Sequence, residues 1–422
     1  MTVRRAVLIG VSSLGLACAG QGGARPGSVT PANTQLRNAA ALMAAGRCDT
    51  AVVVARAGQM LAPADALGPL VVGGCQEKDG RYDLAFATYT DFAAQHPKSR
   101  GVGAIRAKAL LALRTQAEQT ARQALASEST LTRLAPEPST LAVLPVTISG
   151  DSTFRPLSRG LAELMTSDLA MIRTLRLLER VQIGALLDEL KLGQSQRGDP
   201  NTAARVGRLL RAERMVQGVA SITMDGPVRL TASVVRGDGT VRSGAEANGT
   251  FKALLDLEKQ LVFSLATQLG IQLTDAERQR ILQQGPRNLA AFLAYSQGLD
   301  ALARGDYRGA AAAFSASVRA DPNFQEAQQQ QEASEAAPAV QAGGDAVSVL
   351  DAANAAQEPP PPPAPPTDGA LEATKNETSP SLGGILTDNG DATTKPELTP
   401  ATKGINSVTQ ASGIIRIIFK RP

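Results

Sequence analysis

An α/β domain with a mixed sheet, flanked by all-α helical hairpins and followed by a disordered C-terminal tail, is the fold the sequence predicts. Three observations predict it. Between Ser139 and Arg280, short apolar runs alternate with amphipathic helical stretches. On either side of that stretch, Gly, Ala and Pro recur at a fixed spacing. Beyond Ala327 the pattern gives way to Gln, Glu and Ala and then to a run of prolines. Composition agrees. Only 3% of the 422 residues are aromatic and none is Trp, which suits helices packed through small side chains. The net charge of +4 is small and dispersed. There is no Lys/Arg block of the kind a nucleic-acid face needs, so nucleic acid is not an expected partner.

The chain opens with Met1-Thr-Val-Arg-Arg, a mostly apolar stretch from Ala6 to Ala17, and Cys18. A basic start, a short apolar core and a processing site make residues 1–19 an export signal. A spanning helix needs about 20 apolar residues. Cys18 resembles the lipidated cysteine of a bacterial lipobox, which becomes the membrane-tethered N-terminus of the mature protein. The usual Leu three places earlier is Gly15 here, between Leu14 and Leu16. A second reading stays open: Ala17-Cys18-Ala19 also fits A-x-A cleavage, which releases a soluble protein.

Residues 33–127 read as helical repeats. Gly46, Ala51 and Pro63 recur as Gly80, Ala85 and Pro97, 34 positions on. That period resembles the tetratricopeptide repeat, two antiparallel helices per unit. In the second unit Gly73 sits where the first helix nears its neighbour, and Gly80-Arg81-Tyr82 forms the turn. Ala85 and Tyr89 lie on the second helix, and Pro97 ends it. Ala104 to Ala126 adds a capping helix. The same frame returns within 286–327 as Gly298, Gly305, Tyr307, Ala310, Phe314 and Pro322, with Ser317 where a small Ala is usual. A lone unit cannot bury its own face, so this one must dock on a neighbour. In the first unit Cys48 stands in place of Tyr82. It should begin a second helix, and Cys75 should lie in the helix packed against it. A Cys48–Cys75 disulfide is one expectation in an oxidising compartment; two small buried hydrophobes are the other.

Residues 139–280 carry the α/β pattern. Leu141 to Val146 is a short buried strand. Pro156 to Ile172 is a helix with Leu161, Leu164, Met165 and Leu169 on one face. Leu175 to Arg180 is a second strand, and Ile183 to Leu192 is helical. Asp199-Pro200 starts the next helix, since Pro suits the first helical position. Met215 to Met224 and Val228 to Arg236 form a hairpin whose second arm alternates apolar and polar residues. A further strand follows, and an amphipathic helix from Leu254 to Leu269 closes the domain.

These segments resemble the CsgG family of curli secretion components. The resemblance rests on Leu141-Ala-Val-Leu-Pro-Val, Leu157-Ser-Arg-Gly-Leu-Ala-Glu-Leu-Met-Thr-Ser-Asp-Leu, Leu178-Glu-Arg-Val, Glu189-Leu-Lys-Leu-Gly-Gln-Ser, Asn201-Thr-Ala-Ala-Arg-Val-Gly-Arg-Leu-Leu-Arg-Ala-Glu and Val216-Gln-Gly. The same periplasmic fold is similar to the N-terminal domain of TolB and to LpoB-type activators of cell-wall synthases. The resemblance implies an exported, usually lipid-anchored protein. It also implies ring-forming subunits that add long hairpins to an outer-membrane barrel. Strands of about 9–11 residues would be needed for that, and none stands apart from the sheet segments here.

Catalytic chemistry is not visible. His96, the one histidine, precedes Pro97 at a repeat end and reads as a surface residue. No phosphate loop, calcium loop or zinc spacing appears, so no cofactor, metal or enzymatic activity is expected. Arg205, Arg208 and Arg211 fan across part of one helix and suit either a solvated face or an anionic partner. Residues 328–410 read as a disordered, Pro-rich linker. Residues 411–422 form a short apolar-basic tail with two readings: Ile414, Ile415, Ile417, Ile418 and Phe419 add as a strand to a sheet edge, in this protein or a partner, or the tail is a sticky end with no role. The function expected is a periplasmic scaffold or assembly factor, lipid-anchored at the outer membrane, that binds other envelope proteins and is compatible with either a single copy or a homo-oligomer. A ring-forming secretion-channel subunit is the alternative.

Overall fold

The computed structural model of the chain describes residues 31–192, 199–223 and 226–357. Cys18 and the tail residues Ile414, Ile415, Ile417, Ile418 and Phe419 lie outside the described residues.

Two helical hairpins come first: α1 (Pro31–Ala44) with α2 (Cys48–Leu61), and α3 (Leu67–Lys78) with α4 (Tyr82–Gln95). Each turns on a left-handed glycine, Gly46 at φ +77° and Gly80 at φ +72°, with open space around the missing Cβ. Backbone conformation, not packing, therefore selects Gly there. The same pair of bonds closes both turns. Arg47 N–H donates to Leu42 O and Gly46 N–H to Met43 O; Arg81 N–H donates to Gln76 O and Gly80 N–H to Glu77 O. Gly73 has the other cause. A Cβ there would overlap the Tyr89 ring, which is fully buried between α3 and α4. Cys48 and Cys75 form a disulfide that joins α2 to α3, with Cα atoms 5.5 Å apart.

A long helix, α5 (Val102–Ala126), and a single turn, α6 (Glu128–Leu131), lead into the sheet. Its strands are β1 (Glu137–Val143), β2 (Thr147–Gly150), β3 (Arg176–Leu177), β4 (Ala212–Ile222), β5 (Val228–Arg236) and β6 (Val241–Gly249). The order is β3-β1-β4-β5-β6, with β2 also on β4. β1 runs parallel to β3 and β4, and β2 parallel to β4. β4, β5 and β6 are antiparallel neighbours. The strand expected from Leu141 to Val146 is thus split. Pro145 has no N–H for a ladder, and the Val146 N–H turns to Ser158 O.

Helices cover both faces. α7 (Leu157–Leu169) and α10 (Leu254–Gln268) share a core with Leu141, Val143, Val216 and Leu230. α8 (Arg180–Glu189) and α9 (Pro200–Leu210) pack with Ala142, Leu144 and Met215 on the other face. The alternation of Leu141 and Val143 with Ala142 and Leu144 is the period-2 signature of a strand buried on both sides. Asp199 caps α9 by accepting from Asn201 N–H, with Pro200 at the first helical position.

After α11 (Asp275–Gln283) come α12 (Leu289–Ala303), α13 (Tyr307–Ala320), α14 (Gln325–Ala342) and α15 (Ala346–Gln357). α12 and α13 repeat the first hairpins, with Gly305 at φ +76° in the turn and a Cβ at Gly298 blocked by the Phe314 ring. Ser317 is buried and its hydroxyl donates to Ala291 O at 2.8 Å. α14 and α15 correct one expectation: the chain is helical through Gln357, not a linker from residue 328. Gln and Glu dominate the composition there, but Ala327, Ala333, Ala336, Ala337 and Val340 fall on one buried stripe. Helix spacing decides burial where composition does not.

The late hairpin docks on two neighbours. Phe292 and Ser296 of α12 press on α7, where a Cβ at Gly160 would collide with Ser296. α14 packs along α5, and α15 folds back beside α5, α3 and α1. α5 is the spine of the molecule. Ile105, Ala109 and Ala112 enter the core of the early repeats, Ala104 and Ala107 enter that of the late repeats, and Ala121 and Ala124 enter one face of the sheet domain.

Candidate interaction cleft

Where α5, α7, α8, α12 and α13 meet, they leave a cleft of about 320 Å3. That size is at the low end for ligand sites. Its floor is apolar: Leu110 of α5, Val181 and Ala185 of α8, and Leu299 and Leu302 of α12. Its rim is charged. Arg114, Glu118 and Arg122 come from α5, Arg159 from α7, and Arg180, Asp188 and Glu189 from α8. Helical spacing brings the α5 residues together, since 114, 118 and 122 are four apart and share one face.

Most of the cations are engaged. Arg114 Nε donates to Glu118 at 3.1 Å and its Nη1 to Leu302 O at 3.4 Å. Arg180 pairs with Glu163 of α7, and Arg159 lies 3.7 Å from Asp300 of α12. Arg122 is exposed and carries no ion pair among the described residues. At the start of α8, burial lifts the Glu179 carboxyl to about 7, the Glu163 charge adding to it and Arg180 opposing. The cleft can therefore grip an apolar group and orient it by charge. Among the described residues no cluster of His, Cys, Asp and Glu suits a metal.

A second polar cluster lies under the sheet, between α7 and α10. Asp168 and Glu258 are both fully buried. Lys259 Nζ is 2.5 Å from Asp168 and 3.5 Å from Glu258. Burial lifts Asp168 to about 6 against the pull of Lys259. Burial, reinforced by the Asp168 charge, holds Glu258 well above the usual carboxylate range. Burial therefore favours the protonated form of Glu258, whose two carboxyl oxygens have no hydrogen-bond partner among the described residues. A void of about 10 Å3, the size of one water, adjoins Glu258.

The residues singled out in the sequence do not assemble here. Arg205 makes a two-pronged pair with Glu128 of α6 at 2.7 and 2.9 Å. Arg208 Nη1 donates to Gly237 O at 2.5 Å. Arg211, left-handed at φ 55°, donates to Ala135 O and lies 3.5 Å from Glu137. The three arginines tie α9 to its surroundings and do not make one anionic-partner face. The Cys48–Cys75 bond is remote in sequence and element from the cleft. Sequence reasoning missed the cleft residues, because five helices supply them and only Arg114, Glu118 and Arg122 share a local signal.

Fold and cleft together define a helical-repeat frame that holds an α/β domain. Residues 122–224, from the end of α5 to just past β4, match the family described as "Curli production assembly/transport component CsgG". No curated protein matches the chain. Among solved structures, a tetratricopeptide repeat protein from Parabacteroides merdae aligns over 72% of this chain and 98% of its own, at 13% identity and a TM-score of 0.18. The repeat-like character rests on the glycine turns and ring contacts above. Among the described residues no helix is long and apolar enough to cross a membrane.

Proposed function

We propose that this protein is an envelope-associated interaction scaffold, tethered at the outer membrane by a lipid on Cys18 and facing the periplasm. The observation that carries the reading is α5. One helix enters the cores of both repeat groups and of the CsgG-like domain, so the three form a single platform, with a cleft where that helix meets the late repeats and the CsgG-like domain. The CsgG match at residues 122–224 supports an envelope setting. The second reading, a ring-forming channel subunit, draws on the same match. Against it, β4 and β5 are paired within the sheet from Arg214 to Ser221, so that hairpin is committed to the core.

Fractionation of cells expressing wild type and Cys18→Ala tests the reading. Wild type is expected in the outer membrane, and Cys18→Ala in the soluble periplasm. Equal release of both would remove the anchor. In-cell cross-linking separates the two readings, since a closed ladder of many copies fits the channel and not the scaffold.

A further inference from the structure

Gly184 lies in the interior of α8 and lines the cleft. Glycine inside a helix costs about 1 kcal/mol relative to Ala, so its presence asks for a cause. Backbone conformation is not the cause, because its φ is not positive. Packing among the described residues is not the cause either. A Cβ at Gly184 would meet only the Arg159 guanidinium, at 3.9 Å. Every other glycine inside a described helix has a neighbour in close contact with that position: Tyr89 at Gly73, Ser296 at Gly160, Met215 at Gly207, Phe314 at Gly298. Gly184 leaves open space where those have an occupant.

We infer that the occupant is an extended peptide segment of a partner protein, whose backbone passes over Gly184. Glycine permits that close backbone approach. An apolar side chain of the segment enters the floor of Leu110, Leu299 and Leu302. An acidic neighbour reaches Arg122, whose charge is not neutralised within the described chain while Arg114 and Arg180 are paired. The apolar floor supplies affinity, and the charged rim sets register and direction. This inference rests on the scaffold reading and names the chemistry of its partner.

The test uses fluorescein-labelled heptapeptides that place Leu or Phe beside Asp or Glu, and matched peptides with Lys in place of the acid. Each is titrated with the purified full chain by fluorescence anisotropy. The acidic set is expected to bind. Gly184→Leu, which fills the cleft, and Arg122→Glu should each weaken binding about tenfold or more, a loss equal to 1.4 kcal/mol. Arg122→Glu should also shift preference to the Lys peptides. Gly184→Ala should melt at or above the wild-type temperature, which shows that α8 accepts a side chain. If Gly184→Leu does not fold, the Arg122→Glu charge reversal decides alone. No binding of any acidic peptide by wild type, or equal binding by wild type and both variants, overturns the inference. Membrane release in the fractionation experiment leaves these outcomes untouched, so the two readings fail separately.

Discussion

Asp168, Glu258 and Lys259 place three ionisable groups in and beside the core under the sheet. Asp168 keeps its charge through Lys259, and Glu258 avoids a second charge by holding a proton. We predict that Glu258→Gln is close to neutral at pH 4, because Gln copies the shape of a protonated carboxyl. The sign of the pH effect follows from the raised value. Between the ordinary Glu range, about 4.3, and its folded value, the native state binds more protons than the unfolded one. Wild-type stability therefore falls relative to Glu258→Gln as pH rises through that window, by about 1.4 kcal/mol per pH unit. Denaturant unfolding at a series of pH values checks this; a constant difference would sink it. Lys259→Met strands Asp168 as an uncompensated buried charge and should cost about 3–5 kcal/mol near pH 7.

At the scale of elements, the early repeats show what is legible in a sequence. Gly46, Gly80 and Gly305 could be placed because a left-handed turn leaves few choices of residue. Tyr89 and Phe314 were placed because their rings fill the space that Gly73 and Gly298 leave. α14 and α15 were hidden, since their buried stripe is Ala among Gln and Glu and the interior Pro338 breaks the helical signal. The cleft was hidden for another reason. Its floor and rim run from Leu110 to Tyr307, and no local pattern joins such distant residues. Gly184 acquires meaning only once the described residues around it are known to leave its Cβ position open. The disulfide belongs to this scale too. It closes a separation of 27 residues between α2 and α3. Restricting the unfolded chain over that span is worth about 3–4 kcal/mol. Replacing both Cys48 and Cys75 with Ala should lower the stability of the early repeats by that order, measured by denaturant unfolding in non-reducing buffer. An unchanged midpoint would assign the bond no role in the fold.

For the whole molecule, the shared spine predicts how it comes apart. Repeat arrays held by nearest-neighbour contacts can melt piecemeal. Here α5 spans both repeat groups and the sheet domain, so loosening one exposes apolar surface of the others. We predict a single calorimetric transition whose van't Hoff and measured enthalpies agree. Two resolved transitions, one for the helical part and one for the sheet domain, would show that α5 transmits little.

The return of α15 to the early repeats also governs the order of assembly. Ala346 belongs to the same core as Leu36, Leu70 and Tyr89, and Leu350 packs against it. One face of the early repeats is therefore completed only by the helix made last among those described. Contacts of such long sequence separation slow folding. The face of the early repeats beneath Ala346 and Leu350 therefore stays uncovered until the chain has been made through its last described helix.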